Sequence, residues 1–379
     1  ETIDAAGGES VTVPIFHTSH GPVINPLPFN PEDPPEFVVS WAYANRNHEL
    51  GMAEVLIDFA RAESIEDFDA AVEKGGCSQH TCYADRDGNI AYWMGGWDPV
   101  RAEGVDPRFP QIGDGTQEWT GERRPWAHSS NTAQGYYGGW NNKAQLDYGS
   151  APNSQYYGPS HRAQVIDDYL STHDNLTFEE VRDLALDIAT TNSFMGGGNT
   201  WAFVADDFTA AVAADPTDDR NAAIAMLEAW DGHYVAGGPA AWRFGTDAAD
   251  AWVLQDAWID EVLRLTFEDE FAGSGFDWTQ QPKSILFNVL IRQLQGADAP
   301  LPTFYDWFQD KLGSGKPVTS DEIIVLALDN VISDMGLGPY NHERGVITFG
   351  HQVLAGLLDP ILGSNFGEMH TIPWAARST

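Results

Sequence analysis

The sequence predicts an α+β chain, mainly strands over 1–150, mainly helical over 151–345, and closed by a C-terminal segment over 346–379, all read as one domain. Three observations carry that prediction. Short β-branched and aromatic runs bounded by Gly, Pro, Asn and Asp fill the first part. Apolar residues at helical spacing, behind Ser, Thr and Asp starts, fill the second. No period of roughly 20 to 50 residues recurs, which argues against a solenoid.

In chain order, Val11 to Phe16 alternates as a strand does, and His17 to Ile24 reads as a hairpin turning at Gly21-Pro22. His20 sits beside that turn, where a structural hydrogen bond competes with a catalytic role. The proline-rich stretch from Asn25 to Pro35 reads as a loop, and Phe37 to Asn45 as a second strand. Met52 to Ala62 has helical periodicity, and Ser64-x-x-Asp67 resembles a capping box for a helix over Phe68 to Lys74. Thr81 to Ala84 and Ile90 to Met94 form a hairpin across Asp85-Arg86-Asp87-Gly88-Asn89, since Asp-Gly favours the required turn. Gly95 to Gly121 reads as a long, Gly/Pro-rich connection with little regular structure.

Tyr136 to Trp140 reads as a short buried strand that delivers two amides, Asn141 and Asn142, at its end. Asn-Asn can simply open a turn. A carboxamide fixed there can also donate to a developing oxyanion. Ser160 is expected to cap a helix running to about Leu170, and Thr177-x-x-Glu180 to box a helix over Phe178 to Thr190. Helices are further expected over Arg220 to Trp230, Ala248 to Thr266, Ser284 to Gln295, Thr303 to Lys311 and Ser320 to Asp334. The chain then runs through an apolar stretch, Val346 to Leu362, to a Pro373-Trp374 tail.

Composition narrows the function classes. There are 56 acidic against 20 basic residues, a net charge of −36, and the acids are dispersed along the chain. An acidic disordered chain is excluded by 14 Trp, 12 Tyr and 19 Phe, enough to build a core. Nucleic-acid binding is disfavoured because no basic stripe exists. Self-repulsion of this size destabilises a compact fold at low salt, whereas at about 1 M salt the screening length falls to ~3 Å. The expectation is a protein of a salt-rich, extracellular or cell-surface setting. No membrane span or signal-peptide pattern is visible, and Glu1 opens inside a strand-like pattern, so an earlier segment is expected. Cys77 and Cys82 could bridge a short loop, as suits an oxidising compartment, or stay free. Zinc is not expected, because His80 between them lacks a fourth ligand at finger spacing.

Five stretches in order resemble the large subunit of the penicillin acylase family of N-terminal nucleophile hydrolases. They are His17-Thr-Ser-His20-Gly-Pro-Val-Ile24; Tyr83-Ala-Asp-Arg-Asp-Gly-Asn-Ile90; Asp106-Pro-Arg108 with Gly113-Asp-Gly115 and Glu118-Trp119-Thr-Gly121; Gly139-Trp-Asn141-Asn142; and His161-Arg162. Trp230-Asp231-Gly232 matches further on, and the strongest part covers roughly residues 10 to 165.

The resemblance implies a layered αββα fold and hydrolysis of a small N-acyl substrate into acid and amine. It implies a Ser nucleophile at a chain N-terminus exposed by self-cleavage, whose α-amine, of intrinsic pKa about 7.7–8.0, serves as base. By the same resemblance Asn141 is the oxyanion donor, with Asn142 the fallback, and Arg162 supports the site through charge-assisted hydrogen bonds. It implies calcium held partly by the Pro107 carbonyl, although Pro152-Asn153 stands where a carboxylate ligand is expected. No organic cofactor is implied. Glu1 is not Ser, Thr or Cys, so the nucleophile is expected on another chain or segment of the same processed precursor, and this chain alone is expected to be inactive. The alternative is a catalytically inactive surface or assembly protein of the same fold.

Overall fold

The structure is a computed structural model that describes residues 2–4, 8–12, 14–24, 36–107, 109–145, 158–191, 199–239, 248–281, 283–300 and 302–340, and the backbone of two strands over 346–348 and 373–375. It divides into two compact units, Glu1–Tyr157 and Gly158–Thr379.

The first unit combines small antiparallel sheets with two helices. β1 (Thr2–Ile3) pairs with β2 (Val11–Thr12), and β3 (His17–Thr18) with β4 (Gly21–Pro22), the hairpin that Gly21-Pro22 signals. Helix α1 (Gly51–Arg61) and helix α2 (Ile65–Val72) follow. Ser64 caps α2 by accepting from the Asp67 N–H, while the Asp67 carboxylate accepts from Glu63 N–H. β5 (His80–Ala84) and β6 (Ile90–Met94) form the Asp-Gly hairpin, and β9 (His128–Ser130) adds a third strand on β6. Asp85 organises the turn by accepting from the Asp87 and Asn89 N–H groups, each at 2.9 Å. These bonds, the Asn89 side chain foremost, hold the Asp85 carboxyl below its ordinary pKa. Alternation along β6 turns Ala91 and Trp93 inward, where Val72, Phe59, Phe68 and Tyr83 meet them. Phe59 and Phe68 stack at 4.0 Å, and the Trp93 indole donates to Asp69 at 2.6 Å. β7 (Pro99–Arg101) and β8 (Trp119–Arg123) pair within the segment expected to lack regular structure, and the Arg123 guanidinium lies 4.0 Å from the Trp126 ring centroid.

The second unit is helical: α3 (Arg162–Leu170), α4 (Phe178–Thr190), α5 (Ala205–Ala214), α6 (Asp218–Glu228), α7 (Asp250–Phe267), α8 (Lys283–Gln295) and α9 (Ser320–Met335). The capping box of α4 is complete: Thr177 accepts from Glu180 N–H and the Glu180 carboxylate from Thr177 N–H. α7 is the axis. Leu254, Trp258, Ile259 and Val262 are buried on successive faces, as a helix surrounded by others requires. Phe208 of α5, Leu227 of α6, Phe287 and Ile291 of α8, and Ile324 and Leu328 of α9 close around it. The Trp258 indole donates to the Ile324 carbonyl at 2.8 Å, which satisfies the polar atom of this buried ring. β10 (Val346–Thr348) and β11 (Pro373–Ala375) pair antiparallel.

Several expectations are corrected. Phe37 to Asn45 is not a strand: only Ser40 bridges, to Val23, and Phe37 is 73% exposed. Val11 to Phe16 contributes only Val11–Thr12 as strand. Tyr136 to Trp140 is neither strand nor buried, because glycines at 135, 138 and 139 weaken extended pairing, and Trp140 is 45% exposed. His161, not Ser160, caps α3, through Nδ1 accepting from Ala163 N–H. Thr303 to Lys311 is a chain of turns. There Thr303 accepts from Tyr305 N–H and Asp306 from Phe308 N–H, side-chain bonds that compete with helix. The alanine-rich α5 was not anticipated, and its acidic first turn, Asp206-Asp207, is the signal that marks it. Both cysteines are free and no disulfide joins them. Most of Val346 to Leu362 lies outside the described residues.

Replacing Phe208 by Ala removes a side chain with no solvent exposure from the α5–α7 core. It is expected to cost about 3–5 kcal/mol in denaturant unfolding; a loss below ~1 kcal/mol would contradict the core as described. The net charge of −36 predicts that the thermal midpoint rises between low and molar KCl; a flat or falling midpoint would contradict it.

Candidate active site

Asn141 and Asn142 belong to the first unit. Asn141 is exposed and takes a left-handed backbone, φ 55°, which Asn tolerates better than most residues. Asn142 ties the turn together: its Oδ1 accepts from Trp140 N–H at 2.7 Å, and its Nδ2 donates to the Lys143 carbonyl at 3.0 Å. Gly139 leaves room for this side chain, because an added Cβ would stand 2.8 Å from Asn142 Oδ1 and displace it.

The turn is anchored to the three-stranded sheet by a residue that sequence reasoning weighed only as a zinc ligand. His80, at the start of β5, donates from Nε2 to the Asn142 carbonyl at 3.0 Å. Its Nδ1 faces the Tyr92 hydroxyl of β6 at 2.7 Å. The carbonyl can only accept, so the neutral ring carries its proton on Nε2 and accepts the tyrosine proton on Nδ1. Burial pushes the His80 pKa below its ordinary value of 6.5, against a smaller upward pull from the Asn142 carbonyl. Tyr92 stacks on Tyr137 at 6.1 Å, and the Tyr137 hydroxyl donates to Ser129 of β9 at 2.7 Å. The chain on both sides of Asn141 is therefore held to one sheet. Alternation along β5 places His80 on the face shared with Cys82, but its long-range partner, 62 residues away, could not be read from spacing.

Arg162 belongs to the second unit, as the first residue of α3. It is half-buried, and burial pushes its guanidinium below its ordinary pKa. A cation at a helix N-terminus opposes the macrodipole, so helix stability does not explain its position. Asn288 of α8 holds the approach: its Oδ1 accepts from Ser160 N–H at 3.2 Å. Gly158 must be glycine, since a Cβ there would stand 2.0 Å from Asn288 Cγ. Asn288 is buried in a helix among apolar neighbours, and nothing in the sequence around it signals this task.

His20 and Trp230-Asp231-Gly232 make structural contacts. His20 bonds Glu118 at 2.7 Å. Trp230-Asp231-Gly232 forms a knot around His233: Trp230 donates to the His233 carbonyl at 2.8 Å, and Asp231 accepts from His233 N–H at 3.1 Å. His233 also stands between Thr190 Oγ1 (2.9 Å) and Asp187 Oδ1 (3.1 Å), a Thr–His–Asp arrangement. Thr190 is buried and bonds back to the Leu186 carbonyl at 2.8 Å, so it fastens α4 and is no accessible nucleophile. Pro107 sits half-buried in a turn, with Asp106 accepting from Phe109 N–H through its own carbonyl. Calcium wants about six to eight oxygens. Among the described residues no group of three or more histidine, cysteine, aspartate or glutamate side chains could hold a metal ion. Pro152-Asn153 lies outside the described residues. No described helix is long and apolar enough to cross a membrane.

The family model for penicillin amidase matches residues 1–370. Penicillin G acylase of Escherichia coli is 25% identical over 354 residues, covering 87% of this chain and 38% of that protein. A solved thermostable penicillin G acylase from Alcaligenes faecalis superposes with a TM-score of 0.69 at 23% identity, covering 99% of this chain and 62% of that one. The chain thus spans about two fifths of the curated relative's length.

Because the His80 pKa is lowered, the folded state binds fewer protons than the unfolded chain. Its contribution to stability is full above the unfolded value of 6.5 and is lost as pH falls through the lower folded value. The ring resonances of His80 are expected to titrate below 6.5, and His80→Gln to remove that part of the stability loss below neutrality. A midpoint above 6.5 would contradict the buried, carbonyl-bonded geometry.

Proposed function

Because this chain belongs to the penicillin amidase family, we propose that it forms part of an amide hydrolase that cleaves the N-acyl bond of a small substrate. In this reading the Asn141 carboxamide stabilises the oxyanion and Arg162 supports the site. The observation that carries it is the pinned Asn141-Asn142 turn. Asn141 stands on an exposed, left-handed backbone whose neighbours are held by the Asn142 side chain and by His80, which supports a carboxamide presented from a fixed turn. Preorganised donors are effective because nothing need reorganise as charge develops.

The nucleophile is an N-terminal Ser on further polypeptide of the same precursor. The relative lengths support this, since this chain covers 38% of the curated relative. The nucleophile's own α-amine takes its proton as the hydroxyl oxygen attacks the substrate carbonyl. Negative charge gathers on the carbonyl oxygen, where Asn141 Nδ2 donates. The tetrahedral species collapses, the C–N bond breaks, and the amine leaves with the proton. Water then releases the acid by the same steps. Arg162, always charged, offers planar donors that can hold a carbonyl or carboxamide oxygen in place. The layered αββα arrangement belongs to the same reading, supported by the TM-score of 0.69. The dispersed acidic charge supports a salt-rich setting.

In the assembled protein, Asn141→Ala is expected to lower kcat on a chromogenic N-acyl amide about 10²–10³-fold, ~3–4 kcal/mol, with KM little changed. Turnover close to wild type would remove Asn141 from the reaction. No turnover by any assembled form would favour a non-catalytic protein of this fold.

A further inference from the structure

The second unit holds a cavity of about 670 Å³ between α7, α8, α9 and the turn at Trp278–Gln280. Neither Asn141 nor Arg162 lines it. Its size falls within the range of small-molecule sites, ~300–1,000 Å³. Part of the wall is apolar: Leu263, Leu286, Val331, Met335 and the half-buried Trp278. The rest is charged, with an excess of one sign. Asp260, Glu261, Glu268 and Asp334 face two cations, Arg264 and Lys283.

Both cations are already committed to carboxylates. Arg264 binds Glu261 through Nε at 2.8 Å and Nη2 at 2.7 Å, and also pairs with Glu268. Lys283 binds Asp256 and Asp260, each at 2.6 Å. Neither cation is left to receive an anion, so the residual field of the wall is negative. Asp334, at the exposed end of α9, adds to that field beside Met335. An indole among the lining residues also favours a cation over an anion.

We propose that this cavity binds an amphipathic organic cation, an aryl- or alkyl-ammonium, with its apolar body against Leu286, Val331 and Met335 and its ammonium toward Asp334 and Glu268. The two requirements act together. An apolar body without charge forgoes the negative rim, and a bare cation forgoes the apolar wall. A carboxylate of the same shape meets a wall whose four acids outnumber its two bases.

The test uses the full chain and three probes in ligand-observed NMR and calorimetry: phenethylammonium, 3-phenylpropionate with the opposite charge, and tetramethylammonium without the aryl body. Phenethylammonium is expected to bind with one-site stoichiometry and the other two at least tenfold more weakly. Asp334→Asn should weaken it about three- to fivefold, the scale of one partly exposed ion pair. Met335→Trp should fill the cavity and abolish binding. Thr279→Trp, at an exposed position of the same wall, does so independently should the first variant fail to fold. Binding unchanged in the folded filling variants would show general attraction to an acidic surface and overturn the proposal. Equal binding of 3-phenylpropionate, or no binding of phenethylammonium at millimolar concentration, would also overturn it.

Discussion

The first unit depends on one imidazole. His80 spans the distance between a strand and a turn that follows 62 residues later, donating to the Asn142 carbonyl while accepting from Tyr92. Removing it would leave the Asn142 carbonyl without its ring partner and Tyr92 without an acceptor on β5. The Gly138-Gly139 run beside it supplies no stiffness of its own, because glycine has the widest backbone freedom. The position of Asn141 is therefore a property of the sheet, transmitted through His80, Tyr92 and Tyr137, and not of its local sequence.

The helical unit solves a different problem, an excess of negative charge. Its cations are scarce, and they are shared. Lys283 ties Asp256 to Asp260, Arg220 ties Asp215 to Asp329, and Arg264 ties Glu261 to Glu268. Lys74 does the same for Glu54 and Asp58 in the first unit. At the end of α7 the buried acids Asp269 and Glu270 are answered from the following turns. Lys316 reaches Asp269 at 2.5 Å, and Lys311 lies 3.7 Å from the Glu270 carboxylate, which also accepts from the Tyr305 hydroxyl. One ordered cation that serves two acids gives up side-chain freedom once for two interactions. Partly exposed pairs of this kind remain weak individually. They do not cancel a net charge of −36, which is why salt enters the account of stability.

What could be read from sequence was local. The Asp85–Asn89 hairpin, the Thr177–Glu180 capping box and the long apolar helix α7 each announce themselves through residues a few positions apart. The misreadings share a cause. Phe37 to Asn45 looks like a strand from its β-formers, yet pairing needs a partner edge, and only Ser40 bridges to one. Tyr136 to Trp140 has aromatic composition but glycine flexibility, and the flexibility prevails. The candidate site was half legible. The amides and the arginine stand out by type and order, whereas His80 and Asn288, which place them, act across 62 and 128 residues and leave no local trace.

Family membership turns these anchors into a mechanistic claim: a carboxamide held in readiness for negative charge. The most direct measurement is a structure of the assembled protein whose nucleophile has been trapped by a tetrahedral-adduct-forming inhibitor. The account predicts Asn141 Nδ2 about 2.7–3.1 Å from the adduct oxygen, with the His80–Asn142 bond intact. An adduct oxygen held by Asn142 or by other donors, with Asn141 turned to solvent, would contradict it.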